Sequence, residues 1–270
     1  MTRRSLPLFL LAFLLPALAV AADFPRDEQQ IWVTAASHGW NDFNIDNGAQ
    51  LTDDKGYSVG IGWETQLEGD SYIGFWRPRA SAYMGRSDYT EKTASGDIVS
   101  KSSLSGWSVG MDYLFRIPLG QSFTLEPVVG LALRMDRRTV GAGSVGSDAD
   151  NTLVRRGRYR EERRGFMGRL GLRAVVAELG GAGDERLLEP YEARHLFVEG
   201  GALVPVYMEY QGGLNGRRMV TKYYPGYYFE AGGRIGRWQP SVWYEGIRYD
   251  YSGAKQAQSD VVGVRLGWFF

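Results

Sequence analysis

The chain ends on a strict alternation of polarity. Over Val261–Phe270, the side chains of Val262, Val264, Leu266, Trp268 and Phe270 share one face, and those of Gly263, Arg265 and Gly267 share the other. Successive side chains on a strand point to opposite sides of the sheet. This segment is therefore a ribbon with one apolar and one polar face. Such a ribbon suits a wall with hydrocarbon on the outside and a wet lumen on the inside.

The same period of two recurs in ten segments, at 29–37, 56–66, 72–86, 104–116, 122–136, 165–177, 195–208, 226–236, 240–250 and 260–270. In 56–66, Tyr57, Val59, Ile61 and Trp63 take the apolar face, and in 104–116 Trp107, Val109, Met111, Tyr113 and Phe115 do so. Pro78 interrupts the third segment, and because proline cannot donate to a ladder a bulge is expected there. The connectors alternate in length. Stretches 38–55, 87–103, 137–164 and 209–225 are long and polar, whereas 67–71, 117–121 and 237–239 are short. Membrane barrels pair long outer loops with short periplasmic turns. Two connectors depart from that pattern. Residues 178–194 are long for a periplasmic turn, with a loop expected at Gly180–Gly183 and a helical turn at Leu187–Glu189, and the last outer connection, near 252–258, is short.

The expected fold is all-β, a closed antiparallel transmembrane β-barrel of ten strands, with eight or twelve as alternatives. Beyond the amino-terminal segment no apolar run is long enough for a spanning helix, and lipid accepts only helices or closed sheets. A soluble sandwich or lipocalin-like barrel would turn the polar faces into a dry core, where their many Arg and Glu side chains would be costly unless paired.

Residues 1–22 carry the marks of a secretory signal peptide. Arg3 and Arg4 precede an apolar stretch over Leu6–Leu18, and Val20-Ala21-Ala22 offers small residues for cleavage. The barrel domain is expected over 23–270. With 31 basic and 31 acidic side chains the net charge is zero, so no global field points to nucleic acid. The absence of cysteine excludes disulfides, thiol catalysis and thiolate metal sites. The 16 Tyr and 8 Trp supply the aromatic girdles that barrels place at both headgroup levels.

The terminal Phe270, preceded by alternating apolar residues, resembles the recognition signal of Gram-negative outer-membrane β-barrel proteins. That resemblance covers the mature chain at the level of architecture. It implies outer-membrane localisation, contact with outer-membrane lipid and lipopolysaccharide, engagement of the barrel-assembly machinery through Phe270, and a monomer. Two enzymatic classes of barrel depend on a histidine motif. Omptin proteases use a His two residues after an Asp, but Ala36 and Ala193 precede His38 and His195 here. Barrel-type lipid A deacylases use a His followed two residues later by Ser, but Trp40 and Phe197 hold those places. His38 is expected at a strand end facing the outer loop and His195 on the periplasmic side, too far apart to cooperate. No catalytic residue is assigned, and no cofactor or metal is expected. The acidic stretch Asp42–Asp53 partly resembles an EF-hand calcium loop, but Asn47 stands where that loop needs Gly and Asp53 where it needs Glu.

Two groups of charged residues remain. The polar faces carry Glu64, Arg77, Arg79, Asp112, Glu126, Arg134, Arg169, Arg173, Glu199, Glu230, Arg234, Glu245 and Arg265. A ten-strand barrel is little wider than the eight-strand kind that side chains fill, so these are read as a lumen charge network. The connector 137–164 holds Arg137, Arg138, Arg155, Arg156, Arg158, Arg160, Arg163 and Arg164, read as a basic outer loop beside lipopolysaccharide phosphates. The resulting expectation is a non-enzymatic outer-membrane protein with a largely filled lumen, acting through its outer loops in surface interaction or envelope integrity. A narrow channel for small solutes is the alternative, and an outer-membrane hydrolase a lower one.

Overall fold

The computed structural model describes residues 28–68, 74–94, 96–120, 123–146, 153–177, 194–212, 217–220, 222–252 and 255–270. The expected signal peptide, the Gly180–Gly183 loop and the Leu187–Glu189 turn lie outside them.

Ten strands form the wall: β1 Gln29–Asn44, β2 Gln50–Thr65, β3 Gly74–Thr93, β4 Gly96–Phe115, β5 Phe123–Val140, β6 Tyr159–Ala177, β7 Arg194–Gly212, β8 Lys222–Ile235, β9 Trp238–Ser252 and β10 Lys255–Phe269. Each pairs antiparallel with its sequence neighbour, and β1 pairs with β10 from Gln30↔Phe269 to Asn44↔Lys255. The sheet is thus closed and leaves no wall strand with an open edge. At the closure the Phe270 amide donates to the Gln29 carbonyl at 3.0 Å. The hairpin between β8 and β9 turns in two residues, with Gly236 at φ +61°, where a left-handed backbone favours glycine.

The faces follow the expected alternation. Val33, Val59, Leu131, Leu170, Val242 and Val264 point outward and are exposed, a continuous apolar band. Aromatic side chains border it. Near the short turns Trp76 packs edge-on against Tyr113 and Trp238 against Trp268, with ring centroids 4.8 and 4.4 Å apart. Toward the long connections stand Tyr57, Tyr207, Tyr224 and Tyr227. A closed sheet with a polar interior, an apolar outer band and two aromatic girdles is built to span a bilayer.

The structure corrects three expectations. The polar stretches 38–55 and 87–103 are mostly strand: β1 and β2 meet at a tight turn over 45–49, and β3 runs to Thr93. The ladder continues above the bilayer because backbone pairing needs no apolar side chain. His38 consequently sits within β1, facing the lumen, and not at a strand end. Pro78 causes no register shift, since Arg77↔Asp112, Pro78↔Met111 and Arg79↔Gly110 are continuous. Shifts fall instead at Asp42/Phe43, Phe166/Met167, Tyr224/Tyr227 and Asp250/Ser252, and at the third of these β8 has one residue more than β9 around Pro225.

Candidate functional site

The lumen is crossed by stacked layers of ion pairs. Nearest the outer end, Arg138 of β5 is 1 % exposed and reaches three strands at once. Its Nε donates to Glu161 at 2.6 Å, and its two terminal nitrogens lie 3.3 Å from Asp54 and 3.3 Å from Asp42. The guanidinium also stacks on Trp40 and Tyr89, 4.2 and 5.3 Å from the ring centres. Tyr210 donates its hydroxyl to Glu161 at 2.8 Å. Beside this layer Arg163 lies between the faces of Trp40 and Tyr249, with ring-centre distances of 2.9 and 4.5 Å.

A second layer joins opposite walls. Arg134 of β5 pairs with Glu245 of β9, and its Nε donates to Asp136 at 2.7 Å. Tyr83 donates to the same Asp136 at 2.7 Å and stacks on His38. His38 Nε2 and the Ser58 hydroxyl share a hydrogen bond. The third layer is the densest. Arg77 bridges Asp112 and Glu199 at 2.9 Å each, and Arg169 reaches Glu199 at 2.8 Å and Asp112 at 3.2 Å. Arg79 lies 3.4 Å from Asp112. Toward the periplasmic end Arg265 pairs with Glu230 at 2.9 Å, Glu126 lies 3.7 Å from Arg173, and Arg234 reaches Glu28 at 2.6 Å.

Each lumen residue named from the sequence faces inward, and twelve of the thirteen join these pairs; Glu64 lies on the same face near Arg77 but forms no ion pair among the described residues. The sequence reading missed Asp42, Asp54, Asp136 and Glu161. Their signal was phase, since Asp42 keeps the even register of Trp32 and His38, and Asp136 that of Glu126 and Arg134.

The supposed basic outer loop divides. Arg138 and Arg163 belong to strands and are buried in the lumen, so for them a solvated loop is the wrong setting. Arg137, Arg160 and Arg164 lie on the outward face around Glu162, at 3.2, 2.5 and 3.3 Å. Arg158 is exposed between the short strand Leu153–Arg156, which contains Arg155 and Arg156, and β6. The calcium-loop likeness also dissolves: Asp42 faces the lumen and pairs with Arg138, while Asp53 faces outward and meets Lys55 at 2.8 Å.

Between the second and third layers lies a chamber of about 180 Å³, lined by Thr34, Ser81, Ser108, Tyr228 and Trp243 among others. Toward the outer end, the space bounded by His38, Trp40, Asp136 and Arg163 shrinks to about 10 Å³. That is about the volume one water needs.

This geometry can be set beside known structures. The outer-membrane protease OmpT of Escherichia coli matches with a TM-score of 0.51 at 9% identity, covering 90% of this chain and 96% of that one. The fold is that of a Gram-negative outer-membrane β-barrel. The apolar band and closed wall of this barrel accord with that membrane. The translocator domain of the autotransporter NalP from Neisseria meningitidis matches at 14% identity and a TM-score of 0.45, covering 97% of this chain and 95% of that one. The Neisserial surface protein NspA matches at 10% identity and a TM-score of 0.29, covering 89% and 97%. No family model and no curated protein matches the chain.

Proposed function

We propose that this barrel is a non-conducting outer-membrane protein that acts at its outer surface. One observation carries the reading: pairs such as Arg77–Glu199 and Arg134–Glu245 tie opposite walls together across the lumen. Arg77, Glu199 and Arg134 are each held by two partners, so a permeating ion would have to displace fixed groups that already satisfy one another. The narrow space around Asp136 and Arg163 favours the same reading. Contact with lipopolysaccharide and a monomeric state belong to it. So does insertion guided by Phe270.

The test is recording in planar bilayers. The wild-type barrel is expected to give no steady conductance, whereas reproducible unitary steps from correctly folded protein would replace this reading with the narrow-channel one.

The His38–Ser58 hydrogen bond favours a second reading, a hydrolase with Ser58 as nucleophile and His38 as base. Against it, among the described residues no carboxylate bonds to His38, and the nearby Asp136 and Glu245 are engaged by Arg134. Hydrolysis of ester or peptide probes that disappears in both Ser58→Ala and His38→Asn would favour this second reading.

A further inference from the structure

The outer wall carries an amphiphilic cleft that runs from β9 and β10 across β1–β5. The register sets out its parts. One outward row runs Ala35↔Val59↔Met84. The next toward the outer end runs Ser37↔Tyr57↔Arg86↔Ser103↔Thr139, and the one beyond it Gly39↔Lys55↔Asp88↔Lys101. Polarity therefore changes from apolar to cationic over two rows, about 7 Å apiece along a strand.

Below the change, small side chains on β1 make a trough. Ala35, Ser37 and Gly263 form its floor, and Val59, Met84, Val242 and Val262 flank it, bounding a shallow open groove of about 790 Å³. Above it lies a second concavity of about 630 Å³, floored by Ser103, Thr139 and Gly141 and ringed by Lys55, Arg86, Lys101 and Arg158. The two share Tyr57 and Arg86. Asp53 and Asp88 pair with Lys55 and Lys101. Arg86 and Arg158 are exposed and form no ion pair among the described residues. The upper hollow thus keeps an excess of positive charge beside hydroxyl donors, a combination suited to phosphate oxygens.

We infer that this cleft binds one phosphorylated, multiply acylated lipid of the outer leaflet, with lipid A as the occupant. Its phosphate would lie among Arg86, Arg158 and the Ser103 and Thr139 hydroxyls, and an acyl chain would follow the trough over Ala35 and Ser37. The assignment rests on continuity: an apolar groove at bilayer depth opens directly into an anion-complementary hollow at headgroup level. A soluble anion would have no use for the first, and an uncharged lipid none for the second. The inference deepens the proposal that the protein works at its outer surface, but it does not depend on whether the lumen conducts. Conductance in the bilayer test would remove the closed-lumen reading and leave the lipid site standing.

The test is native mass spectrometry of the folded barrel released from detergent, titrated with bisphosphorylated lipid A, dephosphorylated lipid A, phosphatidylglycerol and inorganic phosphate. Heat-dependent gel migration checks that every variant is folded. The wild type is expected to take up one bisphosphorylated lipid A, with at least a tenfold preference over the dephosphorylated form. Arg86→Ser with Arg158→Ser should remove that preference. Ser37→Leu, which fills the trough and leaves the cations in place, should weaken both lipid A forms by a similar factor. Arg158→Ser alone, outside the wall strands, gives a readout if the double variant does not fold, and should reduce the preference. Equal uptake of both lipid A forms would overturn the inference, as would an unchanged preference in the arginine variants. Displacement of the lipid by inorganic phosphate alone would overturn the role of the trough, and equal binding of phosphatidylglycerol would overturn lipid A as the occupant.

Discussion

Arg138 shows how one residue's role depends on which side of the wall it faces. It is almost fully buried, yet three carboxylates and two aromatic faces surround it. Removing one partner of a buried pair leaves charge uncompensated, at a cost of about 3–5 kcal/mol. Arg138→Ala strands Asp42, Asp54 and Glu161 together and should destabilise the barrel by that order, measured by urea unfolding from lipid vesicles. The exposed Lys101–Asp88 pair is the control. Lys101→Ala should cost less than about 1 kcal/mol, because water screens such pairs. In the sequence Arg138 stood among eight arginines of a polar connector, and composition grouped them all at the outer rim. Phase separates them: Arg138 has the parity of Glu126 and Arg134, and Arg137 that of Leu131 and Leu133. That signal was present, but it had meaning only once β5 was known to extend to Val140.

At the scale of the strand, the wall was legible wherever it crosses lipid and illegible above it. All ten segments became strands because hydrocarbon enforces an apolar outer face against a polar inner one. Beyond the bilayer both faces are wet, so the polarity pattern fades while the hydrogen-bond ladder continues. Asp53, Lys55, Asp88 and Lys101 are the outward residues of such extensions, and in sequence they resemble loop. The bulge was misplaced for a related reason. Pro78 was marked by its chemistry, but the chain takes its irregularities elsewhere, one of them near Pro225-Gly226. Depth also sets the cost of charge on the outer face. Leu131 points to lipid near the middle of β5 and is 50% exposed. Leu131→Arg should cost about 2–4 kcal/mol, whereas Thr139→Arg, near the top of the same strand, should cost at most about 1 kcal/mol. Equal costs in a vesicle-based unfolding assay would mean that the bilayer does not sit where the apolar band places it.

For the whole molecule, the layers act in series. Arg138 binds β1, β2, β5 and β6 at the outer end, Arg134–Glu245 joins β5 to β9, and Arg77–Glu199 joins β3 to β7. A solute crossing the lumen must pass every one, and the chamber between the second and third is bordered by Arg134 and Glu245 on one side and by Arg79 and Arg169 on the other. Barriers in series are governed by the tightest, so widening one layer leaves the others to block. Replacing both partners of a pair keeps charge balanced and avoids the stranded carboxylates that a single substitution creates. Arg134→Ser with Glu245→Ser leaves Asp136 its hydrogen bond from Tyr83 and the neighbouring Arg163, so it should fold and remain silent in planar bilayers, and so should Arg77→Ser with Glu199→Ser. The four substitutions together should admit small ions when Arg138→Ser, Asp42→Ser, Asp54→Ser and Glu161→Gln also thin the outer layer. Steady conductance from a single thinned layer would show that this layer alone had been the seal. A folded barrel that stays silent with all three layers thinned would show that the aromatic side chains around Trp40, Tyr89 and Tyr249 close the lumen without help from the ion pairs.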